Sequence, residues 1–282
     1  MVRGLYTGAS GMQAQMHKMD ALSNNLANVN TTGYKKDTSV QKAFPQLLLS
    51  RLNDNGVHKF PFGSSDSAPI VGKLGMGVEY NESFTVFEQG SLKQTDNPFD
   101  LALEDKGFFT IDTPFGERYT RNGTFTLGKE GMLLTKEGYP VMGEEGPIYI
   151  KKNNFMIDKD GNVFQNGDYS DDPKQMVSME SNEWKNTEKV DSIKIVGFDN
   201  DRFIKKTGSS LWAATENSGS AEILRGTERP KVSQGFIEAS NVNSVNEMVN
   251  LISVNRAYEA NQKVISTQDN LTGKLINNVA RA

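Results

Sequence analysis

Two histidines, His17 and His58, are the only imidazoles in the chain, and neither has an H-x-x-x-H or H-E-x-x-H partner. There is no cysteine, so no thiolate can join them in a zinc site. Both read as surface or helix-face residues. Asp158-Lys159-Asp160-Gly161-Asn162 has the alternation of a calcium loop. An EF-hand, however, places Gly just after its third ligand and Glu at position 12. Here Gly161 precedes Asn162 and position 12 is Tyr169, so a β-turn is the expectation. Glu104-Asp105 offers two carboxylates, but neighbours on a strand point to opposite faces and a Lys-Gly turn follows. Gly72-Lys73-Leu74-Gly75-Met76-Gly77 is not a Walker loop and reads as a bend into a strand. No G-x-S-x-G elbow occurs. The chemistry-bearing residues therefore predict no catalytic, cofactor or metal site.

Composition narrows the classes further. At 282 residues there is room for one large or two modest domains. The net charge of −4 is uneven: residues 1–45 carry five Lys/Arg against two Asp/Glu, and residues 233–282 carry four of each. The middle is acidic, which suits a solvated surface and excludes an overall nucleic-acid footprint. No stretch has the continuous apolar length of a membrane span, and the N-terminus lacks a secretory signal's apolar core and cleavage site.

The elements that position everything else are the two ends. Leu5, Ala9, Met12, Met16, Met19, Leu22 and Leu26 recur at helical spacing, as do Leu251, Val254, Tyr258, Ile265, Leu275 and Val279. A second row holds Val245, Met248 and Ile252, and neither end contains proline. The first helix is expected from Gly4 to Val29, ended by Thr31-Thr32-Gly33, with Lys35 and Lys36 near its negative end. The methionines read as packing residues rather than a target groove. Both helices are rich in Asn, which costs about 0.5 kcal/mol per position relative to Ala. Asn261, Gln268 and Thr272 interrupt the apolar seam. Such helices are marginal alone and are expected to complete themselves against each other and against further copies. An intramolecular helix pair on a globular domain is the alternative.

Between the ends, residues 37–76 are mixed. Phe44-Pro45-Gln46-Leu47-Leu48-Leu49 suggests a short helix, and Asn53–Gly56 and Phe60–Ser65 suggest turns. From Gly77 the period becomes two. Strands are expected around Phe84–Val86, Leu101–Leu103, Phe108–Ile111, Tyr119–Arg121, Phe125–Leu127, Met132–Leu134, Tyr139–Val141, Ile148–Ile150, Phe155–Ile157 and Ile193–Val196. Asn122-Gly123 signals a hairpin. Asp171-Asp172-Pro173 and Asn182–Asn186 read as surface insertions.

Leu5-Tyr6-Thr7-Gly8-Ala9-Ser10-Gly11-Met12 and Leu22–Lys35 resemble the N-terminal signature of bacterial flagellar rod and hook proteins. Gly235–Val242, Met248 and Arg256–Lys263 resemble the matching C-terminal signature. Asn97–Leu103, Gly107-Phe108-Phe109 and Tyr119–Gly123 look like that family's β core. The resemblance implies an α+β fold: long N- and C-terminal helices paired as a coiled-coil-like inner domain, with a mainly antiparallel β outer domain. The expected divisions are 1–34 with 235–282 for the helical inner tube, 35–76 for an extended arm contacting neighbouring subunits, and 77–234 for the outer domain. It further implies a structural subunit of the flagellar basal-body rod, not an enzyme, that assembles into a helical tube transmitting torque from motor to hook. Residues 25–36 and the arm look distal-rod-like, whereas Tyr119–Gly123 with Gly143–Ile148 look proximal-rod-like, and the proximal type is slightly preferred. Implied partners are copies of the chain, other rod and hook subunits, and the flagellar type III export apparatus, with no nucleic acid and no transmembrane segment. The implied location is the periplasm-spanning rod of the basal body, reached without a cleaved signal peptide. Expected assembly contacts are Leu5, Met12, Leu26, Leu251, Tyr258 and Ile265 for apolar packing, and Asn24, Asn25, Asn28, Asn261 and Gln262 for polar bonds. The alternatives are a hook subunit, a secreted β-rich binding module, and a hydrolase built on the β-domain carboxylates.

Overall fold

The two proline-free, apolar-periodic ends fold as α1, Val2–Ala27, and α2, Ser244–Val279. The computed structural model describes residues 2–51, 57–60, 63–66, 70–151, 154–166, 187–208 and 210–279. The expected turn at Asn53–Gly56 and the insertions at Asp171–Pro173 and Asn182–Asn186 lie outside them. α1 ends in turns, and the chain then passes through Gly33 at φ 66°. A Cβ on Gly33 would stand 2.5 Å from the Asn122 backbone nitrogen, so close approach as well as positive φ requires glycine there.

Residues 37–85 form a nested series of antiparallel strands. They are β1 (Asp37–Ala43), β2 (Leu47–Ser50), β3 (Val57–Phe60), β4 (Gly63–Asp66), β5 (Ile70–Leu74) and β6 (Val78–Thr85). The pairs are β1 with β6, β2 with β5 and β3 with β4. The expected short helix at Phe44–Leu49 is therefore absent. Leu47 instead pairs with Leu74 and Leu49 with Gly72. Three leucines in a row carry no period, and the partner strand, far along the chain, decides their conformation.

The body that follows begins with β7 (Leu92–Gln94), β8 (Leu101–Glu104), β9 (Phe108–Thr113), β10 (Gly116–Thr120), β11 (Phe125–Leu127) and β12 (Leu133–Thr135). It continues with β13 (Met156–Ile157), β14 (Asn162–Asn166), β15 (Thr187–Ser192), β16 (Ile195–Gly197), β17 (Lys205–Gly208) and β18 (Leu211–Ala213). Last come β19 (Glu222–Ile223), β20 (Lys231–Gln234) and β21 (Phe236–Glu238). The largest sheet has the order β17-β18-β10-β9-β16-β19, with each pairing antiparallel. The C-terminal strands return to early ones: β20 pairs with β8 and β21 with β7.

Strand alternation makes β9 the divider of two cores. Phe109 and Ile111 enter one, with Leu101, Phe125, Leu133, Val141, Ile148, Val163, Ile193 and Ile195. Phe108 enters the other, with Tyr119, Val196, Ile204 and Trp212. Each fully buried large apolar side chain contributes about 1.5–3 kcal/mol.

Two expectations in this region are corrected. Asn122-Gly123 is no hairpin, because β10 before it and β11 after it belong to different sheets. The Asn122 Oδ1 instead accepts from the Thr32 hydroxyl at 2.7 Å and from the Thr124 hydroxyl at 2.7 Å. Gly123 lies against the Leu101 backbone, where any Cβ would collide. Tyr139–Val141 and Ile148–Ile150 contribute isolated bridges rather than strands. The Asp158–Asn162 turn is as expected, with the Gly161 N–H donating to the Asp158 carbonyl at 2.8 Å.

By contacts the chain divides into two compact units. One comprises 1–24, 37–84 and 245–282; the other comprises 25–36 and 85–244.

Candidate assembly site

Within the first unit, α1 and α2 meet through small residues. A Cβ on Gly4 would stand 3.2 Å from the Gln268 Cδ, one on Gly8 3.0 Å from the Ile265 Cγ1, and one on Gly11 2.9 Å from the Asn261 Nδ2. As the α1 number rises the α2 number falls, so the helices are antiparallel and close. Glycine in a helix costs about 1 kcal/mol relative to Ala. The close approach is what three glycines on one face provide in return. On its other side α1 packs against the β1–β6 pair. Ser10 Oγ accepts from the Val78 N–H at 3.4 Å, the Ala14 carbonyl accepts from Gln41 at 3.0 Å, and His17 lies 4.5 Å from the Tyr80 ring centre.

The face that α2 turns inward carries Glu247, Leu251, Val254, Tyr258, Asn261, Ile265, Gln268 and Thr272, alternating four and three residues apart. That is a coiled-coil seam with amides and a hydroxyl in its second half. The expected assembly residues divide accordingly. Asn261 and Ile265 contact α1 of the same chain. Met12, Leu26, Asn28, Leu251 and Tyr258 are half-buried, while Leu5, Asn24 and Gln262 are exposed. Asn25 is buried and its Oδ1 accepts from the Tyr34 hydroxyl at 3.1 Å.

Much of α2 remains uncovered on its other faces. Val245, Met248, Val249, Ile252, Val264, Leu271, Leu275, Ile276 and Val279 are 46–69% exposed, and on α1 Tyr6 and Met16 are also exposed. Single exposed apolar residues are ordinary, whereas rows of them on one helix mark a surface meant for a partner.

The second unit holds a feature the sequence did not announce. Lys35, expected as a cation near the negative end of α1, is fully buried and its Nζ lies 2.6 Å from the Glu238 carboxylate. The same Nζ donates to the Glu88 carbonyl at 2.7 Å, and the Gly90 N–H donates to Glu238 at 2.9 Å. Arg121, 4% exposed, brings its Nη1 to 3.6 Å from the other Glu238 oxygen and lies over the Phe108 ring. Burial pulls the Lys35 ammonium below its usual pKa, and Glu238 opposes this by charge and hydrogen bond. Arg121 is likewise lowered by burial and held up by Glu238. Beside this cluster, Asn241 acts as a keystone. Its Oδ1 accepts from the Lys36 N–H at 2.8 Å and its Nδ2 donates to the Val86 and Glu88 carbonyls at 2.9 and 3.2 Å. The Val86 N–H in turn donates to the Lys36 carbonyl at 2.9 Å.

This knot therefore joins the segment after α1, the segment before β7 and the segment before α2. Two signals were available: Lys35 closes the N-terminal motif, and Glu238 and Asn241 lie in the C-terminal one. Their pairing was invisible because they are about two hundred residues apart. The cavity beside Arg121, about 390 Å³, mixes Lys106 with Glu88, Asp105 and Asp201 and assembles no nucleophile–base pair. Among the described residues, no cluster of His, Asp or Glu has the geometry to hold a metal.

Comparison with known proteins matches three stretches of this architecture. Residues 5–35 match the model described as flagella basal body rod protein, and residues 233–278 match that for the flagellar basal body rod FlgEFG protein C-terminal region. Residues 102–165 match the flagellar hook protein FlgE/F/G D1 domain. The flagellar basal-body rod protein FlgG of Borreliella burgdorferi is 34% identical over 285 residues, covering all of both chains. FlgG of Caulobacter vibrioides is 34% identical, covering 96% of this chain and 97% of its own. The flagellar hook-basal body complex protein FlhO of Bacillus subtilis is 33% identical over the whole of both.

The chain belongs to the flagellar basal-body rod protein family.

It is a structural rod subunit of the flagellar basal body that assembles with other rod and hook subunits, and the hook-subunit alternative is not favoured. The family points to a structural rather than an enzymatic protein. The two terminal matches contain the side chains of this tie between α1's exit and α2's approach: Lys35 in the first, Glu238 and Asn241 in the second. Among the described residues, no helix is long and apolar enough to cross a membrane.

Proposed function

We propose that this rod subunit builds its share of the shaft by self-association of its terminal helices, with residues 35–76 as an arm to neighbouring subunits and 77–234 as an outer layer. The observation that carries this is the pairing of a closed seam with uncovered apolar rows on the same helix. The exposed Leu5, Asn24 and Gln262, with the half-buried Met12, Leu26, Asn28, Leu251 and Tyr258, flank that seam and are the contacts assigned to neighbouring copies. Asn25, Asn261 and Ile265 support them by holding the helices in place. The subunit reaches the shaft through the flagellar type III export apparatus. It has no enzymatic activity. The acidic β body faces outward, and load passes through many repeated contacts rather than one.

The position along the shaft follows the leaning toward the proximal segment. Deleting the gene and imaging isolated basal bodies tests this. A shaft that stops at its base supports the proximal position, and one that stops near the hook overturns it. Basal bodies complete through the hook would sink the rod reading. Hydrogen exchange on dilute monomer tests self-association directly. Residues 2–24 and 245–279 should exchange fast while β8 and β9 stay protected. Full protection of both helices in a monomer would favour the self-contained pair.

A further inference from the structure

The buried ion cluster of the β body is unevenly charged. Lys35 and Arg121 bring two cations to one carboxylate, Glu238, and the three are 0%, 4% and 1% exposed. A buried cation short of counter-charge attracts a negative group. The shortfall also shows in hydrogen bonds. The Arg121 Nη1 stands 3.6 Å from Glu238, too far for a good hydrogen bond, and among the described residues none accepts from its Nε. A buried donor without an acceptor is costly. This same guanidinium lines the cavity of about 390 Å³, a volume within the range of about 300–1,000 Å³ typical of small-molecule sites.

The cavity is sorted by depth. Arg121 is buried at its floor, Val86, Phe87 and Asp201 are half-buried in its wall, and Glu88, Asp105 and Lys106 are exposed at its rim. Gln89 fixes that rim: its Oε1 accepts from the Asp105 N–H at 3.1 Å and its Nε2 donates to the Leu103 carbonyl at 3.1 Å. Above the floor, three carboxylates face one ammonium, that of Lys106. A plain anion meets repulsion on the way in, and a plain cation leaves the Arg121 Nε without an acceptor. A molecule carrying both charges satisfies the floor and the upper wall together.

We propose that this cavity binds a small zwitterion, a carboxylate joined by a short chain to an ammonium. The carboxylate accepts from the Arg121 guanidinium, where charge-assisted hydrogen bonds are strong. The ammonium lies between Asp105 and Asp201, and the chain between them runs along Val86 and Phe87. Burial raises the Asp201 carboxyl above its ordinary pKa, so a cation placed beside it meets a group in need of one. The site lies wholly in the β body and does not depend on how the terminal helices associate.

NMR titration of the full-length, 15N-labelled chain tests this with glycine, 4-aminobutyrate, acetate and methylammonium. At least one zwitterion should bind about tenfold or more tightly than acetate and methylammonium, and should shift the amides of Gln89, Asp105 and Lys106. Arg121→Lys keeps the charge toward Glu238 but removes the Nε donor, and should weaken that binding about tenfold. Asp105→Asn, at an exposed position, should weaken it while leaving acetate unaffected. If Arg121→Lys loses the amide spectrum of the folded body, Asp105→Asn decides alone. Equal binding of acetate and the zwitterions, shifts elsewhere than these amides, unchanged affinity in Asp105→Asn, or no binding by any probe would each overturn the inference.

Discussion

The β body and the terminal helices are built to opposite specifications. In the body, Leu101, Phe109, Ile111, Val141, Val163, Ile193 and Val196 have no more than 1% of their surface exposed. Along the 36 residues of α2, only Glu247 and Val254 are buried. The body buries most of its large apolar side chains within one chain. The helices have satisfied one face and left the others open. A filament subunit benefits from this division: a finished part keeps its shape before assembly, and an unfinished part supplies the drive to assemble.

The sharpest way to break the contrast is through the buried ion cluster. Glu238→Gln leaves Lys35 and Arg121 in the interior without their counter-charge, and should cost the body about 3–5 kcal/mol. Chemical denaturation followed by Trp212 fluorescence measures it, and an unchanged midpoint would show that the cluster is solvated. Phe109→Ala empties a core position and should cost about 3–5 kcal/mol by the same measurement. Neither change touches α1 or α2, so both should reduce the population of intact subunit without altering how intact subunits associate.

Gly8→Val probes the other region. The new side chain meets Ile265, and overpacking should cost about 1–3 kcal/mol in the helix pair. The expected outcome is lost incorporation into basal bodies with an unchanged denaturation midpoint for the body. A lowered midpoint would mean that the two regions unfold together and would remove the distinction.

The smallest effect is in pH. Burial raises the Asp201 carboxyl above its ordinary pKa, against the pull of Lys106 and Arg121. A folded-state pKa above the unfolded one means that the folded body holds the extra proton between the two values. Its stability relative to Asp201→Asn should therefore improve as pH falls through the folded pKa toward the ordinary carboxylate value. A difference that is flat with pH, or falls with acid, would contradict the assigned direction.

The sequence disclosed most where it was periodic. Both terminal helices, the polar interruptions at Asn261, Gln268 and Thr272, and the central strands around Phe108 and Phe125 follow from spacing. Position 33 needed glycine, as its place after α1 indicated. What could not be seen depended on distant partners. Leu47–Leu49 became a strand because Ile70–Leu74 lies beside it. Asn122-Gly123 became a junction because Thr32 and Leu101 approach it. Lys35 is buried because Glu238 meets it from near the other end. Among the expected assembly residues, the Asn25 Oδ1 accepts from the Tyr34 hydroxyl of its own chain, a partner that helical spacing did not indicate.

The Lys35–Glu238 pair has one more consequence. Contacts this distant along a chain form late, after the cost of closing a very long loop has been met. A polypeptide synthesised from its N-terminus cannot fasten this clasp until nearly all of it has been made. Any prematurely terminated product lacking residue 238 would keep Lys35 and Arg121 without their counter-ion and remain loose. The clasp thus makes the presence of residue 238 a condition for its closure.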